Sequence, residues 1–145
     1  MAVRGDARMT ISFVVDGEVR PKERPRFTRS GRIFTPKRTL DYENKVKNAY
    51  LSEYPSGMVF PECPVELRID VFVGVPKSYS AKKKERMIEY EFPTKKPDVD
   101  NMLKSIADAL NGVAYTDDKQ VVLVVVRKFW SLEPRAEITL KEVKE

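Results

Sequence analysis

The chain has 145 residues, 41% of them apolar and 34% charged, with a net charge of +5. That length suits a single domain with a real hydrophobic core, and the ordinary apolar fraction excludes disordered and fibrous classes. No apolar run approaches the roughly 18 residues of a membrane span, and no apolar stretch of a signal peptide stands near the N-terminus, so a non-membrane protein is expected.

Cys63 is the single cysteine, which rules out a disulfide within the chain and points to a reducing cytoplasm, with the thiol in a structural, buried place. Histidine is absent. Any base, nucleophile or metal ligand must therefore come from carboxylates, hydroxyls, lysines or that thiol.

In chain order, Met9, Ile11, Phe13 and Val15 alternate and predict a first strand closed by an Asp16-Gly17 turn. Residues 20–38 follow as a basic block, broken by Pro21, Pro25 and Ser30-Gly31, with Phe27, Ile33 and Phe34 ordering it as a hairpin-like loop. Thr35-Pro36 reads as a helix start with Thr35 as N-cap, and the helix runs to about Tyr54 on a core stripe of Tyr42, Val46, Ala49 and Tyr50. Val65, Leu67, Ile69, Val71, Val73 and Val75 then alternate without a miss, the clearest strand of the chain. Residues 80–89 predict a short, polar, exposed helix, and residues 92–97 an extended connector.

A second core helix is expected from Asn101 to about Gly112, burying Leu103, Ile106, Ala107 and Leu110. Residues 120–130 and 135–143 read as two strands joined as a hairpin at Glu133-Pro134. The order β-α-β-α-β-β implies an α/β (α+β) domain spanning residues 1–145, a mixed β-sheet packed by two main helices.

The basic block holds Arg20, Lys22, Arg24, Arg26, Arg29, Arg32, Lys37 and Arg38 against Glu23, a net +7 that leaves the rest of the chain at −2. A local excess of this kind on a balanced protein is the footprint of a polyanion binder. Acids concentrate elsewhere. Asp98 and Asp100 stand two apart before the second core helix, and Asp117-Asp118 precede the next strand. Carboxylates from two segments suit a hard divalent cation, which takes oxygen ligands and keeps several waters. The plainer reading is an N-cap and a turn. Lys104 follows Asp100 by four residues and precedes Asp108 by four, away from the apolar stripe. A solvated ion pair explains that spacing, with Asp108 in a structural role, and so does a phosphate contact by Lys104.

The stretch DVDNMLKSIADALNG followed by DDKQV resembles the signature of the RusA-type Holliday junction resolvases. Asp-x-Asp-Asn, the lysine four residues on, Asp-Ala-Leu and Asp-Asp-x-Gln-Val are all present over roughly 24 residues. RPKERPRFTRSGRIFTPK is similar to the family's basic region more loosely. The resemblance implies that Asp98, Asp100 and Asp118 bind metal and carry catalysis, with Asp117 as an additional ligand and Lys104 as the lysine associated with activity. It further implies a homodimer that uses Mg2+, with Mn2+ able to substitute and no organic cofactor, to nick four-way DNA junctions symmetrically. Arg20, Lys22, Arg24, Arg26, Arg29, Arg32 and Lys37 are the candidate DNA contacts, with Phe27 and Phe34 placed to wedge between bases.

Three other readings meet parts of this pattern. A nuclease for flaps or forks shares the acids, and a non-catalytic structure-selective DNA-binding module shares the basic block. An enzyme of nucleotide phosphoryl chemistry lacks support, because no Gly-rich phosphate loop is present. The unbroken apolar run at residues 121–126 offers one face to the helices and leaves the other either for a second copy or for burial within the monomer.

Overall fold

A computed structural model describes residues 8–144, and the charged N-terminal segment lies outside them. The strands are β1 (Thr10–Asp16), β2 (Arg26–Phe27), β3 (Ile33–Phe34), β4 (Val65–Gly74), β5 (Val121–Ser131) and β6 (Arg135–Glu142). The helices are α1 (Lys37–Glu53), α2 (Ala81–Tyr90) and α3 (Val99–Leu110), with a 3-10 turn at Asp118–Gln120. Four strands form one mixed sheet in the order β1-β6-β4-β5, and β2 with β3 form a separate small hairpin.

The alternating residues of β4 explain its central place. Val65, Leu67, Ile69 and Val71 are buried, and their neighbours Ile138 and Leu140 on β6 and Ile11, Phe13 and Val15 on β1 extend the same apolar face. Tyr42, Val46 and Tyr50 of α1 and Met102, Ile106 and Leu110 of α3 cover it. The opposite face carries ion pairs instead, Arg68 with Glu66, Arg135 with Glu137, and Arg127 bidentate on Asp70. One dry and one wet face is the usual economy of a sheet of this size. Among the described residues no helix is long and apolar enough to cross a membrane.

Four local expectations change. The residues after β4 do not end in a β5–β6 hairpin: β4 lies between them, parallel to β5 and antiparallel to β6. A parallel pair needs a crossover, and α2 with α3 supplies it. The three-residue link from β5 to β6 therefore passes over the end of β4, where Val75 N–H donates to Ser131 O at 3.0 Å and Gly17 N–H to Pro134 O at 2.9 Å. Gly74 fits closely at that crossing: a Cβ would stand 2.7 Å from the Glu18 carboxylate, which would have to swing aside, and 3.4 Å from Pro134.

Thr35 is not the cap of α1. Pro36 takes that position with an extended ψ of 145° and no side-chain capping bond, its own carbonyl accepting from Thr39 and Leu40. α3 begins at Val99, two residues before the expected Asn101, so Asp98 is its N-cap residue and Asp100 lies in its first turn. Its buried face is Met102, Ser105, Ile106, Ala109 and Leu110, with Leu103 and Ala107 half-buried at the margin. Ser105 is tolerated inside because its hydroxyl donates to Met102 O at 3.0 Å.

Candidate active site

The two acidic segments are held very differently. Asp98 caps the chain end of α3 with extended dihedrals but makes no capping hydrogen bond, and Asp100 follows in the first turn. Both are exposed, and among the described residues neither carboxylate has a hydrogen bond or ion pair. The helix N-terminus favours their negative charge, since its unpaired N–H groups carry a partial positive charge.

The second segment is wired to the scaffold. Tyr115 is buried and donates to Ala107 O of α3 at 2.7 Å, and Thr116 donates to Pro61 O at 2.7 Å. Asp117 then caps the 3-10 turn, its carboxylate accepting from Lys119 N–H at 3.0 Å while Gln120 Oε1 accepts from Asp117 N–H at 3.0 Å. Gln120 uses its amide donors as well, on Phe60 O at 2.9 Å and Cys63 O at 3.0 Å. One glutamine thus fixes the turn to the loop before β4. Asp118 opens the turn with its side chain exposed.

Charge sets Asp117 and Asp118 apart. The Lys119 N–H bond, helped by a hydrogen bond with Asp118 and the Lys119 charge, holds the Asp117 carboxyl below the usual range. Local desolvation, the bond to Asp117 and the charges of Asp117 and Asp108 push Asp118 up, against the pull of Lys104. The turn and α3 therefore bring Asp117, Asp118, Asp108 and Lys104 into one electrostatic neighbourhood. Asp108 pairs with Lys104 at 3.6 Å and with Lys22 at 3.2 Å.

Asp98 and Asp100 are not drawn in: among the described residues no group of three or more His, Cys, Asp or Glu side chains stands close enough to hold a metal ion. The donors themselves fit a hard cation. They are all oxygens, two are unpaired, and the third carries a repulsive load that a positive ion would relieve.

The basic block divides. Arg24, Arg26, Arg29 and Arg32 are exposed on the β2–β3 arm, with Phe27 70% exposed and Ile33 and Phe34 beside it. Thr28 shapes the tip, its N–H bonding Arg32 O and its hydroxyl accepting from Arg32 N–H. Arg20 and Lys37 are exposed at the base of the arm and at the start of α1. Lys22 departs from the expectation of a DNA contact, because its half-buried ammonium is engaged by Glu43 at 2.6 Å and by Asp108. Burial opposes that charge, but the two acids outweigh it and hold the lysine pKa above its ordinary value. The arm's root is anchored to both helices: Lys22 N–H donates to Asn101 O of α3 at 3.0 Å, and Glu23 N–H to the Thr39 hydroxyl of α1 at 3.1 Å.

The sequence matches the family Endodeoxyribonuclease RusA over residues 16–141. The chain belongs to the RusA endodeoxyribonuclease family. It is 38% identical over 144 residues to the uncharacterized protein YqaN of Bacillus subtilis (strain 168), covering 92% of this chain and 96% of that protein. It is also 31% identical over 83 residues to the crossover junction endodeoxyribonuclease rusA of Lactococcus phage r1t, covering 57% of this chain and 61% of the phage protein. The RusA match runs from the last residue of β1 into β6, so it takes in the basic arm, both acidic segments and all three helices. Membership makes the chain a nuclease-family protein.

Two local arrangements escaped the sequence reading, in which Gln120 stood only as a position of the Asp-Asp-x-Gln-Val signature. Gln120 had a visible signal, since Asp117-x-x-Gln120 has the spacing of a capping box. The engagement of Lys22 had none, because its partners lie 21 and 86 residues away along the chain.

Proposed function

We propose that this chain is a Mg2+-dependent endonuclease that resolves four-way DNA junctions by paired nicks, working as a homodimer. The observation that supports the reading is the bond from Lys22 N–H at the root of the basic arm to Asn101 O in the first turn of α3, which ties the arm to the helix that starts at Asp98 and Asp100. Asp98, Asp100 and Asp118 would hold the cation, with Asp117 orienting Asp118 through its cap. A divalent ion bound there supplies a water of lowered pKa and neutralises charge on the phosphate. Lys104, with its side chain 62% exposed and only a long ion pair to Asp108, offers an ammonium to a non-bridging phosphate oxygen. With no histidine in the chain, a carboxylate would accept the proton of the attacking water.

Arg24, Arg26, Arg29 and Arg32, joined by Arg20 and Lys37, offset the repulsion between these acids and DNA, and the exposed Phe27 supplies a wedge against unstacked bases. One chain carries one set of acids and hydrolyses one strand at a time. Symmetric cutting of a junction therefore calls for two copies related by a two-fold axis. β5 is the edge to receive the second copy: Val122 is 61% exposed, Leu123 and Val124 are exposed beside it, and β4 occupies only one side of the strand. The other edge, β1, is already blocked by Tyr54, whose hydroxyl donates to Ser12 O and accepts from Ser12 N–H.

Incubation with a labelled four-way junction and Mg2+ tests the reading. Nicks at symmetry-related positions that yield ligatable duplexes are expected, with excess EDTA abolishing them. Cleavage of flaps or forks in preference to junctions would replace the substrate, and metal-independent binding without cleavage would leave a DNA-binding module. Light scattering should give twice 16.7 kDa, and Leu123→Lys should return the monomer.

A further inference from the structure

Lys22 is the one member of the basic block drawn inward between two acids. Its ammonium touches Glu43 and Oδ2 of Asp108, and its side chain is only 19% exposed. Lys104 reaches for the same Oδ2 from the exposed side, at the longer distance of 3.6 Å. One carboxylate oxygen therefore faces two ammoniums, a close one set between α1 and α3 and a distant one in solvent. We propose that Lys22 is a positioning residue for strand cleavage, neutralising Asp108 so that Lys104 is free to leave its ion pair and meet the scissile phosphate. The proposal rests on the nuclease reading given above and deepens it.

The physics follows from the burial of Asp108. A half-buried carboxylate without a partner is costly, so it holds whatever cation is within reach. With Lys22 present that demand is met from within the fold, and the pair to Lys104 is an exposed i,i+4 contact of the weak kind. Without it, Lys104 is the cation left to Asp108 among the described residues, and moving it to a phosphate would strand a half-buried charge. The loss would fall on the chemical step, where a phosphate contact strengthens, more than on binding.

The arm should stay in place meanwhile. Its attachment at this point runs through the backbone N–H groups of Lys22 and Glu23, which a side-chain substitution leaves intact.

The test compares full-length variants on a four-way junction. Cleavage rates are measured at saturating DNA with Mg2+, and affinity is measured with Ca2+ in its place. Lys22→Met should lower kcat about tenfold or more while the Kd for the junction stays within about twofold. Lys22→Arg should recover most of the rate. The double variant Lys22→Met with Asp108→Asn should also cut faster than Lys22→Met alone, because the carboxylate that detains Lys104 is gone; rates are taken per folded molecule from parallel unfolding curves, since removing an unpaired carboxylate restores stability as well. Should Lys22→Met fail to fold, Lys22→Gln keeps a hydrogen-bond donor near the acids and carries the same expectations.

An unchanged kcat, a Kd that rises in step with the lost rate, or a double variant no faster than the single one would each overturn the proposal. A wild-type protein that cuts no junction removes the nuclease reading and this inference together. A wild type that cuts, matched by Lys22→Met, removes this inference alone.

Discussion

The acids at the start of α3 and the acids of the 3-10 turn have the same side chains and opposite mechanical character. Among the described residues Asp98 and Asp100 are exposed and without partners, whereas Tyr115, Thr116 and Gln120 tie the turn to α3 and to the loop ahead of β4, and Asp117 caps it. On the proposed reading the contrast would divide the work, the locked turn presenting Asp118 at a fixed place and the exposed pair at the helix end adjusting to the cation.

The largest expected effect tests whether the two segments work as one. Asp98→Asn, Asp100→Asn and Asp118→Asn should each cut the cleavage rate by about 10³-fold, since several kcal/mol of charge stabilisation is lost, while junction affinity is kept or improved. Thermal unfolding should separate them from structural damage: the partnerless Asp98 and Asp100 should tolerate the change with a stability shift within about 0.5 kcal/mol. Near-normal turnover by any one of the three removes that residue from the site.

The next effect is confined to the locked segment. Gln120→Ala deletes three hydrogen bonds and should cost about 1–3 kcal/mol in denaturant unfolding, with slower cleavage following from a loosened Asp118. A fully stable Gln120→Ala protein would show that the turn is not held in this way. Neutralising Arg24, Arg26 and Arg32 should weaken binding to every DNA shape and reduce the salt dependence by about one unit of slope per lost phosphate contact. An unchanged slope would move the electrostatic footprint to Lys82, Lys83 and Lys84. The smallest effect belongs to Asp117: Asp117→Ala should cost about 1 kcal/mol through the lost cap, and Asp117→Asn much less, because asparagine caps nearly as well.

Legibility in the sequence followed how local each cause was. β1, β4 and both core helices were readable because alternation and the helical period are carried by neighbouring residues. The mixed sheet was readable from element order, but its strand order was not. A short link at Glu133-Pro134 suggests a hairpin, and only the parallel pairing of β5 with β4, made possible by the α2–α3 crossover, pushes β6 to the far side of β4.

At the site, the acids and Lys104 stood out by spacing. The start of α3 was misplaced by two residues because Asp98 and Asp100 both look like caps and the one that caps by position makes no capping bond. Lys22 read as one more cation of a basic run. Its pairing with Glu43 and Asp108 arises from α1 packing on α3, which no local pattern encodes.

The central claim is that the free pair and the locked turn hold one cation between them. Titrating Mn2+ into the wild-type protein and into the Asp98→Asn and Asp118→Asn variants, followed by the loss of free-ion signal in electron paramagnetic resonance, tests it without relying on cleavage. The account predicts a site in the wild type that each substitution weakens by about tenfold or more. A site that ignores Asp98→Asn and disappears with Asp118→Asn alone, or no Mn2+ binding at all, would contradict it.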